Sequence, residues 1–538
     1  MTVRALWPWE FLLAMAGLAW LCSWRAMRTS DAQEGRQPRR RRLQWVLAPL
    51  AGLALVAWLG SGQLPLKNYV HTHEWTHYYL GAKYAGELSY DRLYECITVA
   101  DAQDGVSMPP EQQKITDLRT NRTVSTQAIL ADPGRCTQHF TTERWSNFRQ
   151  DTAYFRDRAG VDQWHTIVND HGYNTTPVWT AAATLLVNLT SATDLQVGLL
   201  AVLDPLYLLA VMLAIGWAFG WRTLAVAIVV LATYLPARYI WTGGAFLRWD
   251  WLFYTVAAVC CLKKGKPVLA GLALGYAALL RIFPAVLFLG PALTLGWQLL
   301  RTRRLNRDVV RLFAGGALAA AVLVPISWAV AGGWQAWEAF ARNLVKTQET
   351  PMTNTVGLRT VLRWRPGQGI GDLYDPQAAE PAAVWTHALR QAATEIVPLQ
   401  AALAVLFLVA LSLAVRQAPP WGAAALSVAV LPVVTDLLCY YYMIIIVLVL
   451  LWQTRPRIAL WLMGLCAATQ FIGLAPVPGM STWYDQQFTL ISALTVAVFA
   501  VLLWLYVRTS QPSHTDPRKD GEGHDQPAPA AGEPHTNT

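Results

Sequence analysis

The chain has 538 residues, 54% of them hydrophobic and only 14% charged, with 26 Trp and a formal net charge of +9. Soluble domains carry about 25% charged residues, so this composition excludes a soluble enzyme, a disordered chain and a small disulfide scaffold. Long apolar runs recur from Leu6 to Val507. About 20 apolar residues suffice to cross a bilayer as a helix, whose backbone groups are all satisfied internally. The expected fold class is an all-α polytopic membrane protein.

The first predicted span covers residues 6–24. It lacks a small-residue cleavage signal ahead of the basic cluster and reads as a retained anchor. Seven Arg follow within residues 25–42, and residues 1–42 read as anchor plus basic linker. A second span, 43–60, opens the main domain, 43–508. The polar stretch of about 63–176 holds six of the ten His and 14 of the 34 acids. A long loop that concentrates ionisable groups is usually functional. Residues 177–189 are apolar but short, and read as re-entrant or surface-lying. Spans follow near 199–219, 221–237, 249–262, 267–282, 284–300 and 312–331. A second polar loop covers about 332–395. Spans near 396–416, 420–436, 438–453, 458–474 and 488–507 complete about 13 crossings. The tail, 509–538, is rich in Pro, Gly and Asp without apolar periodicity, and is expected to be disordered and cytoplasmic.

Basic residues set the orientation. Arg39–Arg42, Arg222, Lys263–Lys266, Arg301–Arg311, Arg416, Arg455–Arg457 and Arg508 alternate with the spans so that all face the cytoplasm. Both long loops then face outward, on the extracytoplasmic side of the plasma (inner) membrane. No basic stripe is interleaved with exposed aromatics, so nucleic acid is not an expected partner. Cys22, Cys260, Cys261, Cys439 and Cys466 fall in apolar spans and read as small core residues. Cys96 and Cys136 share the first outer loop, where an oxidising compartment permits a disulfide between them.

The densest chemical signal opens that loop: His71-Thr-His73-Glu74-Trp75-Thr-His77-Tyr78-Tyr79, with Lys83 beyond. Two readings compete. His73-Glu74-x-x-His77 puts two imidazoles on one helix face, as in a membrane zinc metalloprotease with Glu74 activating water. A third ligand is then needed, and Glu87, Asp91 and Glu95 are available. In the other reading Glu74 is a carboxylate at the membrane–water boundary, a general base for an attacking hydroxyl. Trp75, Tyr78 and Tyr79 then stack on a sugar or sit in the interfacial belt, while His73, His77 and Lys83 meet phosphate or sugar hydroxyls. This second reading names no metal ligand and no cofactor, without excluding a divalent metal.

Further polar residues sharpen the second reading. Gly243-Gly244 lets backbone approach a ligand closely, and Arg248 and Asp250 follow, either as binding groups or paired with each other. The span 267–282 starts from the Lys cluster and carries Arg281 about 15 residues on, deep toward the outer face. An intramembrane Arg without an acidic neighbour at i±3 or i±4 suits a phosphate ligand. Asp91 reads as a substrate group or a partner of Arg92 or Lys83. Asp170-His171-Gly172-Tyr173-Asn174 reads first as a turn with a helix cap, second as part of an acceptor site. Asp204 is an intramembrane acid, and Asp436 with Tyr440–Tyr442 lies near an outer helix end.

Three stretches carry a resemblance: Glu74-Trp-Thr-His-Tyr78-Tyr79 with Leu93-Tyr94; Thr176-Pro177-Val-Trp179; and Lys263 through Gly271 to Leu280-Arg281-Ile-Phe-Pro284. In their order over residues 43–507 the chain resembles GT-C-type integral membrane glycosyltransferases. It is most similar to glycosyltransferase family 87, the polyprenyl-phosphate-mannose-dependent mannosyltransferases. That family usually has Asp in the first loop, where this chain has Glu74, and often Lys where this chain has Arg281. The resemblance implies inverting transfer of a hexose such as mannose from a polyprenyl-phosphate donor to a lipid or glycan acceptor. Glu74 is then the base, and Arg281 binds the donor phosphate.

Overall fold

A computed structural model of the chain describes residues 8–29, 37–60, 69–106, 113–378, 380–474 and 484–509. The expected tail from residue 510 lies outside these residues, as does the start of the first loop, 61–68. Among the described residues the chain is almost wholly helical. The sheets are a hairpin, Lys114–Asp117 against Arg122–Ser125, and a two-residue pairing of Thr355–Val356 with Leu437–Leu438.

Among the described residues, seven helices are long and apolar enough to cross a membrane: Leu43–Gly60, Asp194–Phe219, Phe283–Thr302, Arg307–Ala331, Val397–Val415, Pro456–Leu474 and Asp485–Arg508. Several present apolar stripes outward. Leu206, Leu209, Leu213 and Trp217 lie exposed at helical spacing on one, and Val405, Leu406, Val409 and Leu413 on another. Such stripes are a liability in water and are neutral in lipid. The protein is a membrane-embedded, multi-pass helical protein. The other expected crossings are shorter or less apolar. Trp221–Thr233, Asp250–Lys263 and Pro267–Leu280 have 13, 14 and 14 residues. At 1.5 Å per residue they span about 20 Å, less than a hydrocarbon core of about 30 Å. Residues 177–189 form an 11-residue helix, Pro177–Val187, largely buried within the protein.

Small residues set a close helix contact. A Cβ on Gly271 would stand 2.0 Å from the Leu312 carbonyl oxygen, and one on Gly315 would stand 2.3 Å from that of Val268. Helices Pro267–Leu280 and Arg307–Ala331 therefore touch backbone to backbone, where dispersion is strongest. The first of these ends at Arg281, whose backbone turns extended before the 3-10 segment Phe283–Phe288. Pro284 cannot continue the hydrogen-bond ladder.

The first polar loop is a packed helical unit. Trp75, Tyr79, Tyr84, Tyr94, Phe148, Phe155 and Trp164 fill its interior. Cys96 and Cys136 are joined as a disulfide. Cys260, Cys261, Cys439 and Cys466 are buried as expected, but Cys22 is exposed, because it lies on an outward face of helix Pro8–Thr29.

Candidate active site

A cavity of about 1140 Å³ lies between the first loop, the Gly243–Trp249 turn, the end of helix Pro267–Leu280 and the second polar loop. His73, Glu74, His77, Tyr78, Arg248 and Arg281 all line it.

Helix Thr72–Lys83 is anchored at its start. The His71 imidazole accepts the Glu74 backbone N–H at 3.3 Å, capping the first turn. The Gly244 carbonyl accepts both the His71 backbone N–H and the Trp75 indole N–H, each at 2.9 Å. Gly244 has φ +73°, and a Cβ there would lie 1.8 Å from the Tyr69 carbonyl oxygen. Only glycine lets the two backbones meet this closely.

The Gly243–Trp249 turn is pinned from its other sides. Asp204 accepts the backbone N–H of Arg248 at 3.0 and 3.1 Å and that of Trp249 at 3.2 Å. The Trp179 indole donates to the Leu247 carbonyl at 3.0 Å. The acid inside an apolar helix thus has a backbone partner, as a buried carboxylate requires.

With its backbone fixed, Arg248 reaches the first loop. Its Nε lies 3.0 Å from Glu74 Oε2 as an ion pair not aligned as a hydrogen bond. Its Nη1 donates to the Tyr78 hydroxyl, and the guanidinium lies 4.4 Å from the Tyr78 ring centroid. The alternative pairing of Arg248 with Asp250 is not formed. Asp250 Oδ1 accepts the Trp251 N–H at 2.7 Å, and its carboxylate interacts with the charges of Arg281 and Arg248.

Arg281 is 6% exposed. Its Nη1 donates to the Leu280 carbonyl at 3.0 Å, while Nε and Nη2 have no partner. Unfilled donors on a buried cation are costly, about 1–3 kcal/mol each or more. Tyr78 lies within electrostatic reach of Glu74, Arg248 and Arg281 together, which ties the two arginines to one site.

A second cluster faces the same cavity. His73 Nε2 lies 2.9 Å from Asp170 Oδ2, and His77 Nδ1 lies 3.9 Å from the same oxygen. His77 Nε2 is 2.7 Å from the Tyr94 hydroxyl and 3.2 Å from the Ile167 carbonyl. Burial and the neighbouring His73 charge push the His77 pKa down to about 4. Burial also disfavours the charged form of His73, but the hydrogen bond and charge of Asp170 more than offset it, and its pKa is raised. Burial opposes ionisation of Asp170, and the hydrogen bond from His73 with the surrounding imidazoles holds its carboxyl well below the usual range.

Asp170 is the residue the sequence reading undervalued. It lies 97 residues from His73, in a segment read first as a turn. The one available signal was the dense polar run Asp170–Asn174. Asn343, from helix Gly333–Glu349 of the second loop, donates to Asn174 Oδ1 at 2.7 Å and holds that segment against the cavity. Asp436 also lines the cavity, and Arg363 brings the second polar loop into it.

Tyr79, Lys83, Asp91 and Asp250 do not line the cavity. The Tyr79 hydroxyl donates to Gln196 Oε1 at 2.8 Å. Lys83 is buried in an ion pair with Asp151 at 2.7 Å and donates to the Thr190 carbonyl at 2.9 Å. Asp91 faces Arg92 at 3.7 Å. Of the acids considered as a third zinc ligand, Glu87 pairs with Arg144 at 2.6 Å, and Glu95 pairs with Arg119 and Arg135.

No protein-family model, no curated protein and no solved structure matches the chain.

Proposed function

We propose that the protein is a membrane glycosyltransferase that moves a hexose from a polyprenyl-phosphate donor to a lipid or glycan acceptor. The observation that carries this reading is Arg281, a buried cation with two free donors on the wall of the cavity that also holds Glu74. A phosphate monoester fits such a guanidinium through charge-assisted hydrogen bonds. The apolar stretch Ile282–Phe283 and Val286 beside it suit a lipid chain.

In the proposed reaction the acceptor hydroxyl oxygen attacks the anomeric carbon. The bond from that carbon to the phosphate oxygen breaks, and polyprenyl phosphate leaves with the electron pair. Glu74 takes the acceptor proton, a role worth about 10²–10⁴-fold in rate. Arg281 balances the charge growing on the leaving phosphate. Arg248 orients the Glu74 carboxylate, and Tyr78 lines the sugar position between them. The proposed topology is about 13 crossings, shorter helices included. It places this site on the extracytoplasmic face of the plasma membrane by the distribution of Lys and Arg.

The second reading, a membrane zinc metalloprotease, gains one observation: Asp170 stands where a third ligand to His73 and His77 would be. The ion pair of Glu74 with Arg248 bears equally on Glu74 as a base in both readings and does not separate them. Binding of polyprenyl phosphate to the purified protein, compared between wild type and Arg281→Gln, tests the transferase reading. Saturable binding that weakens at least tenfold in the variant supports it. Equal binding by both, or none by either, contradicts it.

A further inference from the structure

The cavity that Arg281 lines is also lined by groups that the transfer chemistry leaves unused. One ligand atom each from His73, His77 and Asp170 lies within 4.8 Å of the others. His73 and His77 stand four residues apart on helix Thr72–Lys83 and so share a face. Asp170 comes from the far end of the loop, just beyond helix Thr142–Val168.

His77 is held at one ring nitrogen and leaves the other toward Asp170. Its Nε2 stands 3.2 Å from the Ile167 carbonyl and 2.7 Å from the Tyr94 hydroxyl, which the Gly172 backbone N–H fixes at 2.8 Å. Its Nδ1 faces Asp170 Oδ2, 3.9 Å away. The backbone carbonyl on the outer nitrogen is the support that orients a metal-ligating imidazole.

We infer that His73, His77 and Asp170 form a binding site for one divalent transition-metal ion, Zn²⁺ by its donor set of two imidazoles and a carboxylate. The half-exposed Asp170 and the cavity beside it leave the remaining coordination positions open to a ligand oxygen. The ion lies beside Glu74 without being bound by it, because the Glu74 carboxylate faces Arg248. An acceptor hydroxyl is the ligand class that fits an open position at this wall. That last step alone rests on the transferase reading; the ion site does not.

The test is metal content and spectroscopy of the full-length protein in detergent, with no turnover involved. After loading with Zn²⁺ and dialysis, wild type should retain about one ion per chain, and Co²⁺ in its place should give the visible absorption of a low-symmetry nitrogen–oxygen site. Asp170→Asn and His73→Gln, checked for an unchanged melting transition, should bind at least about tenfold more weakly. Wild-type protein that retains no ion and gives no Co²⁺ spectrum overturns the inference, and so do folded variants that bind as tightly as wild type. Should neither variant fold, the Co²⁺ spectrum of wild type decides alone. Metal binding by wild-type protein that transfers no hexose in a separate assay would count against the transferase and leave the ion site standing.

Discussion

Glu74 and Arg248 meet across 174 residues of sequence, Oε2 to Nε at 3.0 Å, both largely withdrawn from solvent. Removing one partner of a buried pair costs about 3–5 kcal/mol, because the other is left uncompensated. Arg248→Met should therefore lower the melting temperature markedly. The double variant Glu74→Gln with Arg248→Met should recover part of that loss. A double variant no more stable than Arg248→Met would show that the pair is not coupled, and thermal unfolding in one detergent reads both.

Lys83 supplies a contrast. Its ammonium is buried against Asp151 and the Thr190 carbonyl, away from the cavity. Asp151 also accepts from the Tyr84 hydroxyl at 2.7 Å and from the Ala192 N–H at 2.7 Å. Asp151→Ala should destabilise the first loop by about 3–5 kcal/mol, while donor binding by the remaining folded protein stays unchanged. A weakened donor affinity with normal stability would return Lys83 and its partner to the binding site.

The contact between Gly271 and Leu312 fixes the helix that ends at Arg281. Gly271→Val would push backbone against backbone, an overpacking change of about 1–3 kcal/mol or more. The expected outcome is a lower melting temperature together with weaker binding of polyprenyl phosphate, since Arg281 rides on this helix. A variant as stable as wild type would show that the two helices separate without cost.

The Cys96–Cys136 bond closes a loop across a sequence separation of 40. A crosslink over that length stabilises by about 2–4 kcal/mol. Non-reducing mass analysis should find no free thiol at either position, and Cys96→Ser should lower the melting temperature. Two free thiols in protein made in an oxidising compartment would contradict the bond.

Much of this was legible in the sequence because single residues carried it. The apolar runs marked a multi-pass helical protein, and Arg281 was conspicuous as a lone charge in such a run. Its free donors in the structure follow from that isolation. The His73–His77 spacing was equally visible, since helical periodicity is local. What the sequence could not show were the long-range partners. Glu74 finds Arg248, and His73 finds Asp170, through a fold that joins distant segments. Tyr79 and Lys83 lie in the same dense motif as Glu74, yet the helix turns them toward the loop's own core, where Gln196 and Asp151 satisfy them. Crossing number was the weakest reading. Hydropathy marks apolar helices, but 13- and 14-residue helices are as apolar as full spans without matching their length.

The most direct measurement is sugar transfer itself. The purified protein in lipid vesicles would receive polyprenyl-phosphate hexoses with labelled sugar, and label reaching the acceptor fraction would be followed for wild type and Glu74→Gln. Transfer by wild type, slowed by about 10²–10⁴-fold in the variant with donor binding retained, is the predicted result. Glu74→Gln transferring at the wild-type rate, or wild type transferring no hexose from any such donor, would contradict it.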